Sequence, residues 1–381
     1  MHIFLEILSN HQFLGIAFVQ MLTVFSTNIL APVLPVHLKL TGMSESEIGF
    51  VMGIVSLGAL LVRPWTGWSV DTRGSRPTVL FGQLLTIAGI AGFLWLTGFW
   101  PLLLLRFFQG ISMAFYGTGS ITFASGVEMP ERTSSAIAYF SMFTMVGVGI
   151  GTSLAPLLYE SSGFTVVTIT SLAMAVVALL AMLCFTRPQP VSESKERVPF
   201  QDVLNQPVVS GPAACLFASN FSLGTAFTFV PLLALELGIT GYYVFFIAFS
   251  FAVISARLGV QYLNSRWKPA QTALYASFMN ILSVLLLAFF PSAAIMVIAG
   301  VLIGLGFGII YPTLAGYLVQ RVNPANKGSA LSILAGAGDI GNALGASALG
   351  VVAEMLGFTA VFACAGLVIF LCVFYFHQKT R

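Results

Sequence analysis

The chain has 381 residues, of which 57% are hydrophobic and 8% are charged, and its formal net charge is +3. This composition excludes an ordinary soluble domain, and so small a net charge provides no basic surface for a nucleic acid. The mean hydropathy of +0.95 is typical of a protein that crosses the lipid bilayer several times. We therefore expect a multi-pass membrane protein that has no nucleic-acid partner.

Polar residues divide the sequence into twelve apolar runs, most of them near the length of about 20 residues that spans a bilayer. The first six runs are 12–36, 47–70, 78–99, 101–126, 135–158 and 164–186. The second six are 211–235, 242–263, 271–290, 293–319, 328–352 and 356–376. The predicted organisation is an N-terminal six-helix bundle at 1–186, a cytoplasmic linker at 187–210 and a C-terminal six-helix bundle at 211–381.

The basic residues outside the spans predict the orientation of the chain. With a cytoplasmic N-terminus, twelve of them lie inside and Lys39 lies outside, as the positive-inside rule requires. The twelve are Arg73, Arg76, Arg132, Arg187, Lys195, Arg197, Arg266, Lys268, Arg321, Lys327, Lys379 and Arg381. We expect a protein of the bacterial inner (plasma) membrane with both termini in the cytoplasm.

Neither the cysteines nor the histidines indicate a metal site. Cys184, Cys215, Cys364 and Cys372 lie inside apolar runs, where cysteine usually packs as a small hydrophobic residue. The histidines lie at or beyond the ends of the spans without ligand spacing. A phosphate-binding G-x-x-x-x-G-K-[ST] loop does not occur either. We expect no cofactor, no metal and no enzymatic activity.

A short charged turn, GWSVDTRGSR at 67–76, separates the second and third spans. Its candidate gating residues are Gly67, Asp71, Arg73, Gly74 and Arg76. The turn resembles the G-x-x-x-D-R-x-G-R-R signature of the major facilitator superfamily, with Thr72 and Ser75 at two positions that are usually basic. This resemblance implies two pseudo-symmetric six-helix bundles, a substrate site between them and a latch at the aspartate. The alternative interpretation is an ordinary positive-inside loop with two glycines.

Four charged residues remain inside the spans, namely Arg63, Arg106, Arg257 and Asp339. A charge near the bilayer centre costs about 2.5–3.5 kcal/mol even on the lenient insertion scale, so each needs a partner, a watery cavity or a function. Arg63 and Arg257 occupy equivalent places in spans two and eight, about two turns from the cytoplasmic ends. For these two we predict a gating or structural role.

Arg106 lies in LLLLRFFQG, three residues before Gln109. The stretch is similar to the R-x-x-Q-G signature of the fourth helix in the same superfamily. There the resemblance implies an arginine that faces the cavity and takes part in proton coupling. The alternative is an arginine that snorkels or ties helices together.

Asp339 lies in GAGDIGNALG, about 18 Å along the helix from Lys327 and so near the bilayer midplane. A buried carboxylate there is a candidate proton carrier, and the alternative is a structural aspartate paired with Arg257 or with helix backbone. Glycines on both sides of Asp339 predict close approach of a neighbouring helix. They are Gly336, Gly338, Gly341 and Gly345.

Further polar residues are candidates for the substrate cavity, in addition to Arg106 and Gln109. They are Thr27 and Asn28 in span one, Tyr116 in span four, Tyr311 in span ten and Asn342 in span eleven. Threonine can equally bond back to its own helix, so that alternative stays open for span one.

The sequence predicts a secondary active transporter, most like the bacterial drug and metabolite efflux branch. Its expected activity is proton-coupled efflux of a small organic solute by a monomer. The excess of two positive charges within the spans favours an anionic or zwitterionic solute, such as a carboxylate-rich metal chelator. Span five keeps Gly151 and Pro156 of the exporter signature but not its remaining members. The alternatives are a proton-coupled uptake symporter for a sugar or organic acid and a non-transporting membrane sensor or lipid-handling protein.

Overall fold

The computed structural model describes residues 10–126, 133–187, 206–322 and 327–380, and within these ranges every regular element is an α-helix. The first helices are α1 (His11–Asn28), α2 (Leu34–Leu40), α3 (Glu45–Arg73), α4 (Ser75–Gly92), α5 (Phe99–Gly126) and α6 (Thr133–Phe185). The others are α7 (Pro207–Glu236), α8 (Tyr243–Arg266), α9 (Pro269–Phe289), α10 (Ala293–Arg321) and α11 (Lys327–Thr380).

Helices α6 and α11 each contain two of the predicted spans, joined by a glycine. Gly163 has φ 78° and ψ 177°, and Gly357 has φ 78° and ψ 176°. Side chains other than hydrogen are strained in this backbone conformation, so glycine allows the chain to turn sharply between spans. Over the described ranges, eight helical segments, including these two double ones, are long and apolar enough to cross a membrane.

The first predicted span, 12–36, is interrupted in the structure. α1 ends at Asn28 and α2 begins at Leu34, with a non-helical stretch between them. Pro32 explains the break, because its ring clashes with the carbonyl four residues earlier and its nitrogen has no hydrogen to donate. The interruption lies next to Thr27 and Asn28, two of the predicted cavity residues.

The chain forms two compact units, and α3 contributes to both of them. The first unit is Met1–Val33 with Leu57–Lys195, and the second is Leu34–Ser56 with Glu196–Arg381. Most of the predicted linker at 187–210 falls on residues 188–205, which lie outside the described ranges. The division of the chain at that linker therefore stays a prediction.

The same helix contact recurs in both units. A Cβ built on Gly147 would lie 2.4 Å from the carbonyl oxygen of Met21, and one built on Gly341 would lie 2.2 Å from that of Phe217. The two glycines are 194 residues apart, as are Gly163 and Gly357. The backbones of α6 and α1, and of α11 and α7, approach closely because these glycines lack side chains. The same helix contact and the same glycine turn thus recur at a constant spacing in the two halves of the sequence.

Candidate functional site

The predicted charged turn at 67–76 is mostly helical in the structure. α3 continues to Arg73 and α4 begins at Ser75, so Gly74 is the one residue between them. Gly74 has φ 91° and ψ 165°, a conformation that is essentially restricted to glycine. Because a single glycine reverses the chain, the helical part of the corner extends through Gly67 and Asp71.

Hydrogen bonds hold this corner together and connect it to α6. The hydroxyls of Ser69 and Thr78 lie 2.9 Å apart across the corner. Arg76 donates to the hydroxyl of Thr186 (3.3 Å) and to the carbonyl of Leu183 (3.4 Å), where α6 ends. Carbonyls at a helix C-terminus carry partial negative charge, which an arginine neutralises favourably. Arg76 therefore ties the corner to a helix terminus.

The remaining candidate gating residues of the corner differ in their surroundings. Asp71 is half-buried in the last turns of α3. Arg73 is exposed, with its guanidinium 5.3 Å from the ring centroid of Trp68. Gly67 has open space where a Cβ would lie, so no neighbouring atom requires glycine at this position. The backbone conformation that requires glycine is found at Gly74.

Gly74→Ala is expected to destabilise the protein by about 1–3 kcal/mol, because alanine is strained at this φ and ψ. The midpoint of thermal unfolding in detergent measures the effect. Gly67→Ala is the matched control, since the Cβ meets no atom and alanine favours the helix by roughly 0.5–1 kcal/mol. Equal unfolding midpoints for the two variants would contradict the strain assigned to Gly74.

Arg106 and Gln109 form a buried pair on α5 of the first unit. Arg106 is 6% exposed and Gln109 is 4% exposed. The Nη1 atom of Arg106 donates to Oε1 of Gln109 over 2.7 Å. The three-residue spacing places both side chains on one face of the helix, so the glutamine holds the guanidinium in a defined orientation.

Behind this pair lies a set of buried polar residues that the sequence analysis did not identify. Thr86 of α4 donates to Ser112 of α5 (3.1 Å), whose hydroxyl in turn donates to the carbonyl of Gln109 (2.8 Å). Gln83 of α4 donates to Thr23 of α1 (3.2 Å). Gln83 and Thr86 are three residues apart in an apolar run, and this helical spacing of polar residues was the available signal.

In span one, the alternative of local bonding is what the structure shows. The hydroxyl of Thr27 donates to the carbonyls of Thr23 and Val24, each over 3.2 Å. The Asn28 amide donates to the carbonyl of Val24 over 2.9 Å. Thr27 also contacts the hydroxyl of Tyr116, which is 3% exposed. The side chains of Thr27 and Asn28 are therefore both engaged with their own helix.

Asp339 and Asn342 lie on α11 of the second unit, and both are half-buried. Asn342 donates to the hydroxyl of Ser56 of α3 over 2.9 Å, so it connects two helices. A Cβ built on Gly338 would lie 3.0 Å from Nδ2 of Asn220 on α7. The predicted close approach of a helix beside Asp339 is thus confirmed. It brings in Asn220, a half-buried amide that the sequence analysis did not single out.

Arg257 of α8 lies against Tyr311 of α10. Its guanidinium carbon is 5.9 Å from the ring centroid, and it makes no ion pair with Asp339. Stacking of a guanidinium on an aromatic ring contributes about 2 kcal/mol or more where water is excluded, which offsets much of an insertion cost of about 2.5–3.5 kcal/mol. Arg63 is half-buried on α3, and the hydroxyl of Thr66 donates to its carbonyl over 2.8 Å.

The predicted site residues fall into two groups. The first unit contains Arg63, Arg106, Gln109, Tyr116, Thr27, Asn28 and the corner at Gly74. The second unit contains Arg257, Tyr311, Asp339 and Asn342. Each unit thus presents at least one membrane-embedded arginine, and the membrane-embedded aspartate predicted from the sequence belongs to the second.

A family model described as Major Facilitator Superfamily matches residues 16–346 and, in a second match, 278–381. The chain belongs to the major facilitator superfamily. A relative within this superfamily is the staphylopine export protein of Staphylococcus aureus, which is 27% identical over 93% of each chain. The MFS-type transporter YhhS of Escherichia coli is also 27% identical, over 89% of this chain and 85% of its own.

Solved structures agree with this assignment. A mutant form of the nucleoside transporter NupG superposes with a TM-score of 0.80 at 14% identity, covering 97% of this chain and 100% of its own. The predicted twelve-helix fold of the major facilitator superfamily is confirmed. Members of the superfamily move small molecules across membranes and are not enzymes, so the chain is a multi-pass membrane transporter.

Proposed function

We propose that this transporter exports a small anionic or zwitterionic organic solute in exchange for protons. The observation that carries the proposal is Arg106, a guanidinium buried within a membrane span and oriented by Gln109. In such a low-dielectric environment, a carboxylate or phosphate makes a charge-assisted hydrogen bond that is about twice as strong as a neutral one. A lipophilic cation would instead be repelled by the arginine.

Asp339 is the proposed proton carrier. It lies on the glycine-rich part of α11, where Gly341 and Gly345 allow the backbone of α7 to approach closely. A carboxylate in a half-buried position gains and loses a proton as its access to water changes. Alternating access of the substrate site, with Asp71 and Gly74 acting on the switch between states, completes the proposed mechanism.

Export, rather than uptake, is supported by the relative that is named for staphylopine export and that matches over 93% of both chains. In the fifth span, α6 contains Pro156 of the exporter signature. At the preceding position, where that signature has glycine, this chain has Ala155, which is fully buried. Because this signature is incomplete, proton-coupled uptake of a sugar or organic acid is the alternative. We further propose that the protein acts as a monomer with both termini in the cytoplasm.

Proteoliposomes that contain a pH-sensitive dye test the proposal directly. A proton gradient is imposed in either direction, and anionic, zwitterionic and cationic compounds are compared for solute-dependent proton movement. Exchange requires proton flux opposite to solute flux, whereas symport requires both in the same direction. A preference for lipophilic cations would reject the substrate class, and transport that is indifferent to the gradient would reject the coupling.

Asp71→Asn is expected to change conformational switching rather than substrate affinity. The substitution removes the negative charge of a corner that also contains Arg73 and Arg76. Loss of a charge interaction at the surface changes the free-energy difference between the two conformational states by roughly 1 kcal/mol or less, which is a few-fold change in their populations. Spin-label distance distributions measure the inward-open and outward-open populations. Glu236→Gln, at the exposed end of α7, is the control. Weaker substrate binding with unchanged populations would assign Asp71 to the substrate site instead.

A further inference from the structure

Arg257 and Tyr311 form an arginine–tyrosine pair on neighbouring helices of the second unit. The guanidinium lies over the ring, 5.9 Å from its centroid. The Nε atom of Arg257 is buried, and within the described part of the chain it has no hydrogen-bond acceptor. The guanidinium makes no ion pair with a carboxylate of the described residues. Among the residues that the structure describes, the positive charge of this pair therefore has no carboxylate as its partner.

The position of Arg257 is set by close packing of α8 on α10. A Cβ built on Gly308 of α10 would lie 2.6 Å from the Cβ of Ala256, the residue before Arg257. The arginine stem consequently emerges at a tight helix contact, which restricts its conformational freedom. Tyr311 is 36% exposed, so the residue that lies under the guanidinium is not enclosed by its neighbours.

A second arginine–tyrosine pair on the same helix provides a comparison. Arg266 lies at the exposed end of α8, 6.0 Å from the ring centroid of Tyr262, and donates to the tyrosine hydroxyl over 2.7 Å. The Arg257–Tyr311 pair makes no such bond, although it is less exposed to water. The Tyr262 hydroxyl accepts from Arg266, whereas Nε of Arg257 has no acceptor among the described residues and can donate to a ligand.

We propose that Arg257 and Tyr311 bind an anion, a carboxylate or a phosphate, within the second unit. Guanidinium is suited to these groups because its planar donors match two oxygens at once. The ligand can be a carboxylate of the transported solute or the phosphate of an anionic lipid headgroup. This site is additional to Arg106 and does not depend on the direction or the coupling of transport.

The test uses tricarballylate, which has three carboxylates, as the probe, and its uncharged trimethyl ester as the matched compound. The full-length protein is placed in phosphatidylcholine nanodiscs, and binding is measured by calorimetry in an Arg106→Gln background to isolate the second site. We expect saturable binding of tricarballylate, no binding of the ester, and at least about tenfold weaker binding after Arg257→Gln. Arg266→Gln should leave the affinity unchanged.

Two further variants separate loss of the site from loss of the fold. Arg257→Lys keeps the charge and should retain part of the binding, and Tyr311→Phe keeps the ring but removes the hydroxyl donor. Unfolding midpoints identify any variant that is misfolded. Tricarballylate binding that is absent, or that is the same with arginine and glutamine at position 257, would overturn the proposal unless the lipid arm shows Arg257-dependent retention.

The lipid arm replaces part of the phosphatidylcholine with phosphatidylglycerol and counts retained lipids by native mass spectrometry. Retention that disappears in Arg257→Gln, together with competition against tricarballylate, assigns the site to a headgroup phosphate. Binding of tricarballylate that phosphatidylglycerol does not affect assigns it to a solute carboxylate. Loss of neither ligand in Arg257→Gln contradicts an anion site at this pair.

Discussion

Arg106→Gln is expected to lower the apparent affinity for an anionic solute by about 10- to 100-fold, because a hydrogen bond to a charged group contributes roughly 1.5–3 kcal/mol. The replacement removes the charge but keeps an amide that can still bond to Gln109 from its position on α5. The buried polar set formed by Thr86 and Ser112 is therefore preserved. The loss of affinity then reports on the charge rather than on the packing of the helix.

Binding of the transported anion to purified protein, and uptake into proteoliposomes below saturation, measure the effect. Arg106→Lys keeps the positive charge without the planar donor pair, so we expect an intermediate affinity. Arg321→Gln is the matched control, since Arg321 is an exposed arginine at the end of α10 with its guanidinium 4.0 Å from the Tyr317 ring centroid. Unchanged anion affinity in Arg106→Gln, with a normal unfolding midpoint, would show that Arg106 has a structural role.

Asp339→Asn is expected to abolish solute movement driven by a proton gradient, with a rate at least about tenfold lower, while solute exchange without a gradient remains detectable. Asparagine has nearly the same shape as aspartate, so the contact of Gly338 with Asn220 and the close approach of α7 are retained. What is lost is the titratable proton. The variant is therefore expected to lose the coupling of solute movement to protons while it still binds the substrate.

Gradient-driven transport and counterflow exchange are measured on the same proteoliposomes. Asp339→Glu restores a titratable carboxylate and should recover part of the gradient-driven rate. Glu354→Gln is the control on the same helix, because Glu354 is an acid near Gly357 that accepts from the backbone of Ser46 through Oε2. Full gradient-driven transport by Asp339→Asn would exclude this residue as the proton carrier, and loss of exchange as well would assign it to substrate binding.

Much of the fold could be predicted from the sequence because a bilayer limits the choices. Apolar runs of about 20 residues must be helices, since unpaired backbone groups are too costly in hydrocarbon. The same reasoning identified the charges within the spans, and the motif around Arg106 contains Gln109, to which Arg106 donates in the structure. The charged turn at 67–76 also located the corner between the second and third spans, with Gly67 and Gly74 as its two glycines.

Other features depended on contacts between helices that are distant in sequence. The corner residues alone did not show that Gly74, rather than Gly67, requires glycine, because φ is a property of the folded backbone. Whether Thr27 lines a cavity or bonds to its own helix was left open, and the structure shows the local bonds. Asn220 was overlooked because its importance arises from the approach of α11.

The sequence by itself therefore determined the membrane location, the helical class and the short motifs, since these follow from hydropathy and from neighbours one helical turn apart. Only the tertiary structure decided the partners of the charged side chains. Arg76 reaches the end of α6, and Arg257 lies over Tyr311, with more than 50 residues between the arginine and the tyrosine in the chain. The physical reason is that a buried charge is stabilised by whichever group packing brings within a few ångströms, and no local pattern encodes that choice.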